Sequence, residues 1–361
     1  MNEDEKLAGI RARIDEIDDR LLELISERAR CAQEVAEIKQ GEADPAGFYR
    51  PEREAQILGR IQARNPGPLS GEEIARLFRE IMSACLALEQ PLTIGYLGPA
   101  GTFTEAAALK HFGHSVRTAP LGAIDEVFRE VESGNAHYGV VPVENSTEGV
   151  VNHTLDMFLR SPLNICGEVQ LRVELHLMGK VDDLSRIRQV FAHQQALAQC
   201  REWLDARLPH AERVAVSSNA EAARRVAGRD DAAAVAGANA AELYGLGILA
   251  QNIEDEPGNT TRFLVIGRQQ PAASGADKTS LLVSVRNQPG ALFRLLEPFA
   301  RHGISMTRIE SRPSRQGLWD YVFFVDIEGH RDTPEVAQAL KDLEAEASAV
   351  KVLGSYPKAV L

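Results

Sequence analysis

Two hydroxyls, a carboxamide and a guanidinium stand together in Gly258-Asn259-Thr260-Thr261-Arg262-Phe263, directly ahead of the apolar run 264–267. A turn rich in Asn and Gly that hands over to a buried strand is a place where a rigid element presents polar groups to a ligand. The same residue types bond their own backbone in ordinary turns, so the hexapeptide reads as a site or as a well-capped turn. Further polar clusters fall at expected strand-to-helix junctions: Gly98-Pro99-Ala100-Gly101-Thr102, Glu144-Asn145-Ser146-Thr147-Glu148-Gly149 and Ser217-Ser218-Asn219. Free backbone amides at helix starts attract anions. The first cluster lacks the Gly-Lys-Ser/Thr ending of a nucleotide loop, which leaves a tight turn or a carboxylate cradle. Singly these are caps; with Thr261 they could converge on one cleft.

Cations interrupt an apolar seam nearer the N-terminus. Leu7, Ile10, Ile14, Ile17, Leu21, Leu24, Cys31, Val35 and Ile38 keep a three-four spacing that predicts a helix over 7–39. Such a helix is about 50 Å long, more than one small domain can cover, so it needs a partner, and a second copy of itself fits. Arg28 occupies a seam position, where either an internal carboxylate or an anionic ligand must neutralise it. Lys39 points within about 20° of Arg28, whereas Arg11 lies about 25 Å below it and about 100° around the axis. If Arg11 and Arg28 serve one site, they come from different chains.

Pro51 suits the first turn of a second helix with Ile57, Leu58 and Ile61 on its core face, and Ser70 with Glu73 forms a capping-box pattern for a third ending near Glu89. With no strand signal before Pro91, this is a helical bundle. From residue 92 the pattern alternates between strand and helix, with strands expected at 93–97, 138–143, 189–192, 213–216, 232–236 and 263–266. Its length suits two lobes with a ligand in the cleft between them and the last strand returning to the first lobe. After the linker 271–276 comes a strand-helix-strand-strand-helix-strand order, which is ferredoxin-like.

The 361 residues, 44% hydrophobic and 25% charged, are ordinary for globular protein of several domains. A formal net charge of −12 argues against a nucleic-acid coat or a membrane-surface protein. It also means that an anionic ligand would have to be held by local arginines. The N-terminus has no signal-peptide pattern and no stretch is apolar enough to span a bilayer, so a cytoplasmic location is expected. Cys31, Cys85, Cys166 and Cys200 form no Cys-x-x-Cys pair, so buried free thiols are expected, with neither a disulfide framework nor a zinc site.

Over residues 1–91, Arg11, Arg28, Lys39, Arg53-Glu54 and the end of the third helix resemble the all-helical, intertwined-dimer class of chorismate mutase. The resemblance implies that chorismate carboxylates are held by Arg28 and by Arg11 of the neighbouring chain. It adds Lys39, Arg50, Arg53, Glu54, Cys85 and Glu89 as chorismate contacts, with Lys39 and Glu89 bonding the ether oxygen. Arg50 stands where the family often has aspartate, and Cys85 where serine is common.

Over residues 92–270, the segments 98–104 and 143–149, His193 with Gln199, and Asn259-Thr260-Thr261-Arg262-Phe263 resemble prephenate dehydratase. This implies that Thr261 is catalytic, aiding departure of the ring hydroxyl as carbon dioxide is lost. Thr102, Asn145, Ser146, Gln199, Ser217, Arg262 and Phe263 would bind prephenate, and Ala192 stands where the family can carry serine. Over residues 278–361 the chain resembles the ACT regulatory domain. The motifs Asn287-Gln288-Pro289-Gly290-Ala291-Leu292 and Glu310-Ser311-Arg312-Pro313 resemble its phenylalanine-binding segments, which implies an effector site of Asn287, Gly290, Ala291, Leu292, Glu310, Ser311 and Arg312.

The expectation is a helical bundle in a homodimer joined through its first helix, then a two-lobed α/β domain, then a ferredoxin-like α+β domain. It would convert chorismate through prephenate to phenylpyruvate under phenylalanine feedback, with no cofactor or metal and no nucleic-acid or membrane partner. A two-lobed amino-acid sensor with a helical dimerisation arm, and a dehydratase with an inactive helical region, are the competing readings.

Overall fold

The computed structural model describes residues 3–39, 49–285, 288–313 and 321–360. Helix α1 (Glu3–Lys39) has an acidic first turn and Lys39 in its last, both suited to the helix dipole. α2 (Pro51–Arg64) starts on proline, whose missing N–H would have no intrahelical partner there. α3 (Gly71–Glu89) starts behind Ser70, whose Oγ accepts from the Glu73 N–H at 3.0 Å. Leu58, Ala75 and Met82 form a small core between α2 and α3, joined by Ile57 and Phe78. α1 buries only Ala32, and Ile14 and Ile17 are each 50% exposed, so the seam expected from the sequence lies open within one chain.

The first lobe follows as β1 (Thr93–Leu97), α4 (Phe103–Phe112), β2 (Arg117–Leu121), α5 (Ile124–Ser133), β3 (Tyr138–Asn145), β4 (Gly149–Val150), α6 (Asn152–Phe158) and β5 (Asn164–Arg172). The second lobe contains β6 (His176–Gly179), β7 (Gln189–His193), α7 (Gln194–Gln199), α8 (Arg201–Arg207), β8 (Glu212–Val216), α9 (Asn219–Val226), β9 (Ala232–Ala236), α10 (Ala238–Tyr244) and β10 (Gly247–Ala250). β11 (Thr260–Gly267) then returns to the first sheet. Among the described residues the first sheet runs β2-β1-β3-β11-β5 with β4 on β3, and the second β10-β6-β9-β7-β8. β1 is parallel to β2 and β3, while β11 is antiparallel to both its neighbours.

The C-terminal domain has β12 (Asp277–Val285), α11 (Ala291–Arg301), β13 (Met306–Pro313), β14 (Tyr321–Glu328), α12 (Pro334–Glu346) and β15 (Ala349–Pro357). Its antiparallel sheet is ordered β13-β14-β12-β15. One face, with Val325 and Ile327, packs on α11 and α12. The other, with Val322, Phe324, Leu353 and Tyr356, shares a core with Leu264 and Ile266 of β11.

Several expectations change. β2, β5, β6 and β10 had no place in the strand pattern. β2 contains Pro120, which its position at the sheet edge tolerates, and β5 is interrupted by Gly167 and Glu168. The cluster Glu144–Gly149 does not open a helix: it ends β3 and turns into β4, and α6 begins only at Asn152. Thr260, Thr261 and Arg262 are already strand, not turn. Cys31 is exposed, so the expected burial of all four thiols holds only for Cys85, Cys166 and Cys200.

Tyr49 and Arg79 are among the side chains by which the helical region grips the first lobe. Tyr49, just ahead of α2, is 4% exposed and sits in the core of the first lobe against Phe112 and Tyr138. Its hydroxyl meets His111 Nε2 at 3.1 Å. Burial, with the Arg79 guanidinium adding to it, pushes the His111 imidazole down to about 3, so the ring is neutral. Arg79 of α3 donates to the carbonyls of Lys110 and His111 at the end of α4, where the helix dipole favours a cation.

At the opposite junction Gly354 of β15 lies so close to β5 that a Cβ would overlap the Ile165 backbone. Backbone facing backbone has no side chain to yield. Gly354→Ala is therefore expected to cost about 1–3 kcal/mol in overpacking, read as a lower midpoint in thermal or urea unfolding of the full chain. An unchanged midpoint would mean that the two sheets separate at no cost.

Candidate active sites

A cleft of about 1010 Å³ opens between the two lobes. Thr261 and Asn145 are register partners on β11 and β3, where the central strands reach the cleft. Asn145 Oδ1 accepts from the N–H groups of Thr147 and Glu148 at 3.0 and 2.9 Å. This fixes the carboxamide, so Nδ2 donates to Thr261 Oγ1 and to Asn259 Oδ1, each at 2.8 Å. With its oxygen accepting from Asn145, the Thr261 hydroxyl keeps its own hydrogen for an acceptor in the cleft.

The surrounding polar groups belong to helix starts. Thr102 caps α4, accepting from the Glu105 N–H, and its carbonyl is held across the cleft by Asn239 Nδ2 at 3.1 Å. Ser217 lines the cleft beside Ser218, which caps α9. Gln199 Nε2 donates to Glu148 Oε1 at 3.3 Å, bridging the second lobe to the first. Ser146 stands behind the lining, donating to Asn259 Oδ1 and accepting from the Thr260 N–H, so it supports the site rather than facing it.

Besides Ser146, two further expected prephenate contacts, Phe263 and Arg262, are not brought into this cleft. Phe263 is 2% exposed in the core under the sheet. Arg262 leaves β11 on the opposite face and is bonded to Glu168, Asp326 and Tyr356. For Arg262 the physical reason is strand alternation, which sends its side chain to the face opposite Thr261; Phe263 shares the face of Thr261 but lies further along β11, inside the core. Among the described residues no lysine or arginine lines the cleft, contrary to the expectation that local arginines hold an anion there.

Arginines do gather on the helical region. Arg28 and Arg53 line a groove of about 720 Å³ together with Arg60 and Arg64, which the sequence reading passed over. Their spacing on α2, seven and eleven residues on from Arg53, was the available signal. Glu54 faces away from the groove toward Arg79, with Nε to Oε1 at 3.1 Å. Burial raises its pKa, opposed by Arg79 and then Arg28. Glu89 is also raised, chiefly by partial burial, with Lys39 and then Arg28 pulling it down. Arg28, Lys39 and Glu89 thus share one electrostatic neighbourhood. Cys85 is buried, Arg50 is exposed ahead of α2, and Arg11 lies on the uncovered part of α1.

In the C-terminal domain Ala291 lines a groove of about 560 Å³ with Gln288, Pro289 and Arg294. Gly290 caps α11 with φ 78°, a conformation that favours glycine, and Leu292 is exposed. Asn287 lies outside the described residues. Glu310, Ser311 and Arg312 are on β13 and do not line that groove. Arg312 instead donates to Asn152 Oδ1 and Asp156 Oδ1 of the first lobe, each at 2.6 Å.

Among the described residues no helix is long and apolar enough to cross a membrane, and no cluster of His, Cys, Asp and Glu could hold a metal ion. Family models match as chorismate mutase type II over residues 10–90, prephenate dehydratase over 94–271 and ACT domain over 279–345. Relatives named bifunctional chorismate mutase/prephenate dehydratase include those of Stutzerimonas stutzeri, 60% identical, and Pseudomonas aeruginosa, 59% identical, each aligned over 100% of both chains. The structure of prephenate dehydratase from Arthrobacter aurescens in complex with L-Phe is 37% identical, with TM-score 0.68, covering 74% of this chain and 90% of that one. With identity sustained over its full length, the chain belongs to the bifunctional chorismate mutase/prephenate dehydratase family.

Proposed function

We propose that the two activities and their control occupy separate segments: the mutase in residues 1–91, the dehydratase in 92–270 and the response to phenylalanine in 278–361. The chain rearranges chorismate to prephenate and converts prephenate to phenylpyruvate. The observation that carries the dehydratase assignment is the bond from Asn145 Nδ2 to Thr261 Oγ1. As the ring carboxylate leaves as carbon dioxide, the electron pair of the broken C–C bond moves into the ring and expels the ring hydroxyl. The departing oxygen needs a proton to become water. Thr261 offers its O–H to that oxygen, and donation from Asn145 stabilises the negative charge that develops on Oγ1 as it does so.

The carboxylates of prephenate find neutral donors. The N-terminal turns of α4 and α9, behind Thr102 and Ser217-Ser218, supply backbone N–H groups and the positive ends of helix dipoles. Gln199 and Glu148 close the cleft from the two lobes.

The mutase reaction is unimolecular and calls for restraint and charge placement, which cations on rigid helices supply. Arg28 and Arg53 in the groove, with Lys39 and Glu89 nearby, form one half-site. Arg11 of the partner subunit completes it. The support is the exposed apolar seam of α1, which a second copy of the helix would cover in a homodimer. The ACT family match and the L-Phe complex of the Arthrobacter protein support phenylalanine as the effector.

Thr261→Ala is expected to lower phenylpyruvate formation by a factor of about 10³, while chorismate consumption stays within about twofold of the parent. Equal loss of both activities in a folded variant would contradict separate sites.

Arg11→Ala and Arg28→Ala should each abolish mutase activity, and mixing the two under conditions of chain exchange should restore part of it. Absence of recovery, with exchange shown independently, would mean that they do not meet across subunits.

Glu89 can donate to the ether oxygen only when protonated, because a carboxylate only accepts. Its raised pKa extends the protonated range upward, so mutase kcat should fall as pH rises through that pKa. Glu89→Gln, which donates at every pH, should flatten the fall. Superimposable pH–rate profiles would remove Glu89 from the reaction.

A further inference from the structure

The residues beside the Asn145–Thr261 pair are themselves register partners, Arg262 on β11 and Glu144 on β3, and both are held by the C-terminal domain. Arg262 Nη1 reaches Asp326 Oδ2 of β14 at 2.6 Å and Nη2 donates to the Tyr356 hydroxyl of β15 at 3.1 Å. Its Nε meets Glu168 Oε2 at 2.9 Å, and Lys278 of β12 binds the other Glu168 oxygen at 2.9 Å. Ser280 Oγ donates to Asp326 Oδ1 at 2.6 Å. The side chains of Arg262, Asp326 and Glu168 are 11%, 6% and 1% exposed, so two cations and two carboxylates neutralise each other away from water. Glu144 is met from the same domain by Arg308 Nε of β13 at 3.3 Å, with the Arg308 side chain 10% exposed. β13 also carries Arg312, which binds Asn152 and Asp156.

The strand pairing leaves this grip something to do. The ladder between β11 and β3 is broken by a bulge between Arg262 and Phe263, so the regular pairing of 264–266 does not by itself fix Thr261 opposite Asn145. What stands on the far side of that pair of strands is the regulatory sheet.

We propose that Arg262 and Glu144 are positioning residues of the dehydratase, clasped from behind by Asp326 and Arg308, and that this clasp carries displacements of the regulatory sheet to Thr261. A shift of β13 or β14 relative to the first lobe must either drag Arg262 and Glu144 with it or strip buried charges of their partners, and the second is strongly opposed. Because Arg262 is covalently next to Thr261, and Glu144 next to Asn145, moving the clasp changes where the Thr261 hydroxyl points. Misplacement of a reacting group by an ångström is enough to slow a reaction substantially without abolishing substrate binding.

The proposal rests on Thr261 being the dehydratase residue, and the test separates the two. Full-length Asp326→Asn, Arg308→Gln and Thr261→Ala are assayed on prephenate with and without phenylalanine, with mutase activity as the internal measure of folded enzyme. Asp326→Asn and Arg308→Gln are expected to lower dehydratase kcat about tenfold with KM within about twofold, and to shift the half-inhibiting phenylalanine concentration at least about threefold. Asp326→Glu, which keeps the charge, should regain part of the phenylalanine response. If Asp326→Asn does not accumulate folded, Arg308→Gln carries the same test through the half-exposed Glu144. Unchanged kcat and unchanged phenylalanine response in folded clasp variants, with Thr261→Ala inactive, would overturn the clasp while sparing the site. Full activity of Thr261→Ala would overturn both.

Discussion

Side-chain alternation along a single strand governs this molecule. β11 arrives after the second lobe is complete and is inserted between β3 and β5, antiparallel to both. That insertion closes the first sheet and fixes where the chain crosses between lobes, which is where the cleft lies. Period two then assigns the faces: Thr261, Phe263 and Val265 toward the α4 side, Arg262, Leu264 and Ile266 toward the regulatory sheet. Under the assignment proposed above, chemistry and regulation are thereby put back to back, separated by one strand's thickness.

The two proposed substrate sites solve the same electrostatic problem with different materials. The protein carries a net charge of −12, yet chorismate and prephenate are anions. On the helical region, arginines converge on a groove, and each is always charged. In the cleft, the described lining offers amides, hydroxyls and helix N-termini, whose partial charges of about +0.5 do not titrate and are directed by the backbone. Backbone donors also hold position without the rotamer freedom of a long cationic side chain, which suits a reaction whose proton donor must be aimed.

Much of this was legible in the residues. The seam of α1, the Ser70 cap, the turn Gly98–Thr102, the return of β11 and the β-α-β-β-α-β order at the C-terminus all follow from periodicity and cap chemistry. Two of the differences share a cause, a short motif standing for a unit of structure. Asn259 to Phe263 forms one cluster only along the sequence; a strand divides Thr260 to Phe263 between two faces, and that alternation is present in the sequence. Glu144–Gly149 looked like a helix start because Asn and Ser cap helices, but Asn145 spends its carbonyl on Thr147 and Glu148 within a turn. Strands such as β6, buried among neighbours on both sides, carry no alternation to detect. The motif places Arg312 in an effector site, while its contacts with α6 depend on how two domains dock, which no local pattern encodes.

Tyr49 has a bearing on how two enzymes come to share a chain. In sequence it belongs to the helical segment; in space it is part of the dehydratase interior, wedged between Phe112 and Tyr138. Cutting the chain between α3 and β1 would leave a vacant socket in one fragment and a stranded aromatic on the other, and emptying an aromatic site costs about 3–5 kcal/mol. A joining of genes that begins as a tether is reversible, since either half can be released intact. Where a side chain from one half forms core of the other, separation carries a penalty that a bare tether would not, and the junction acts as a ratchet.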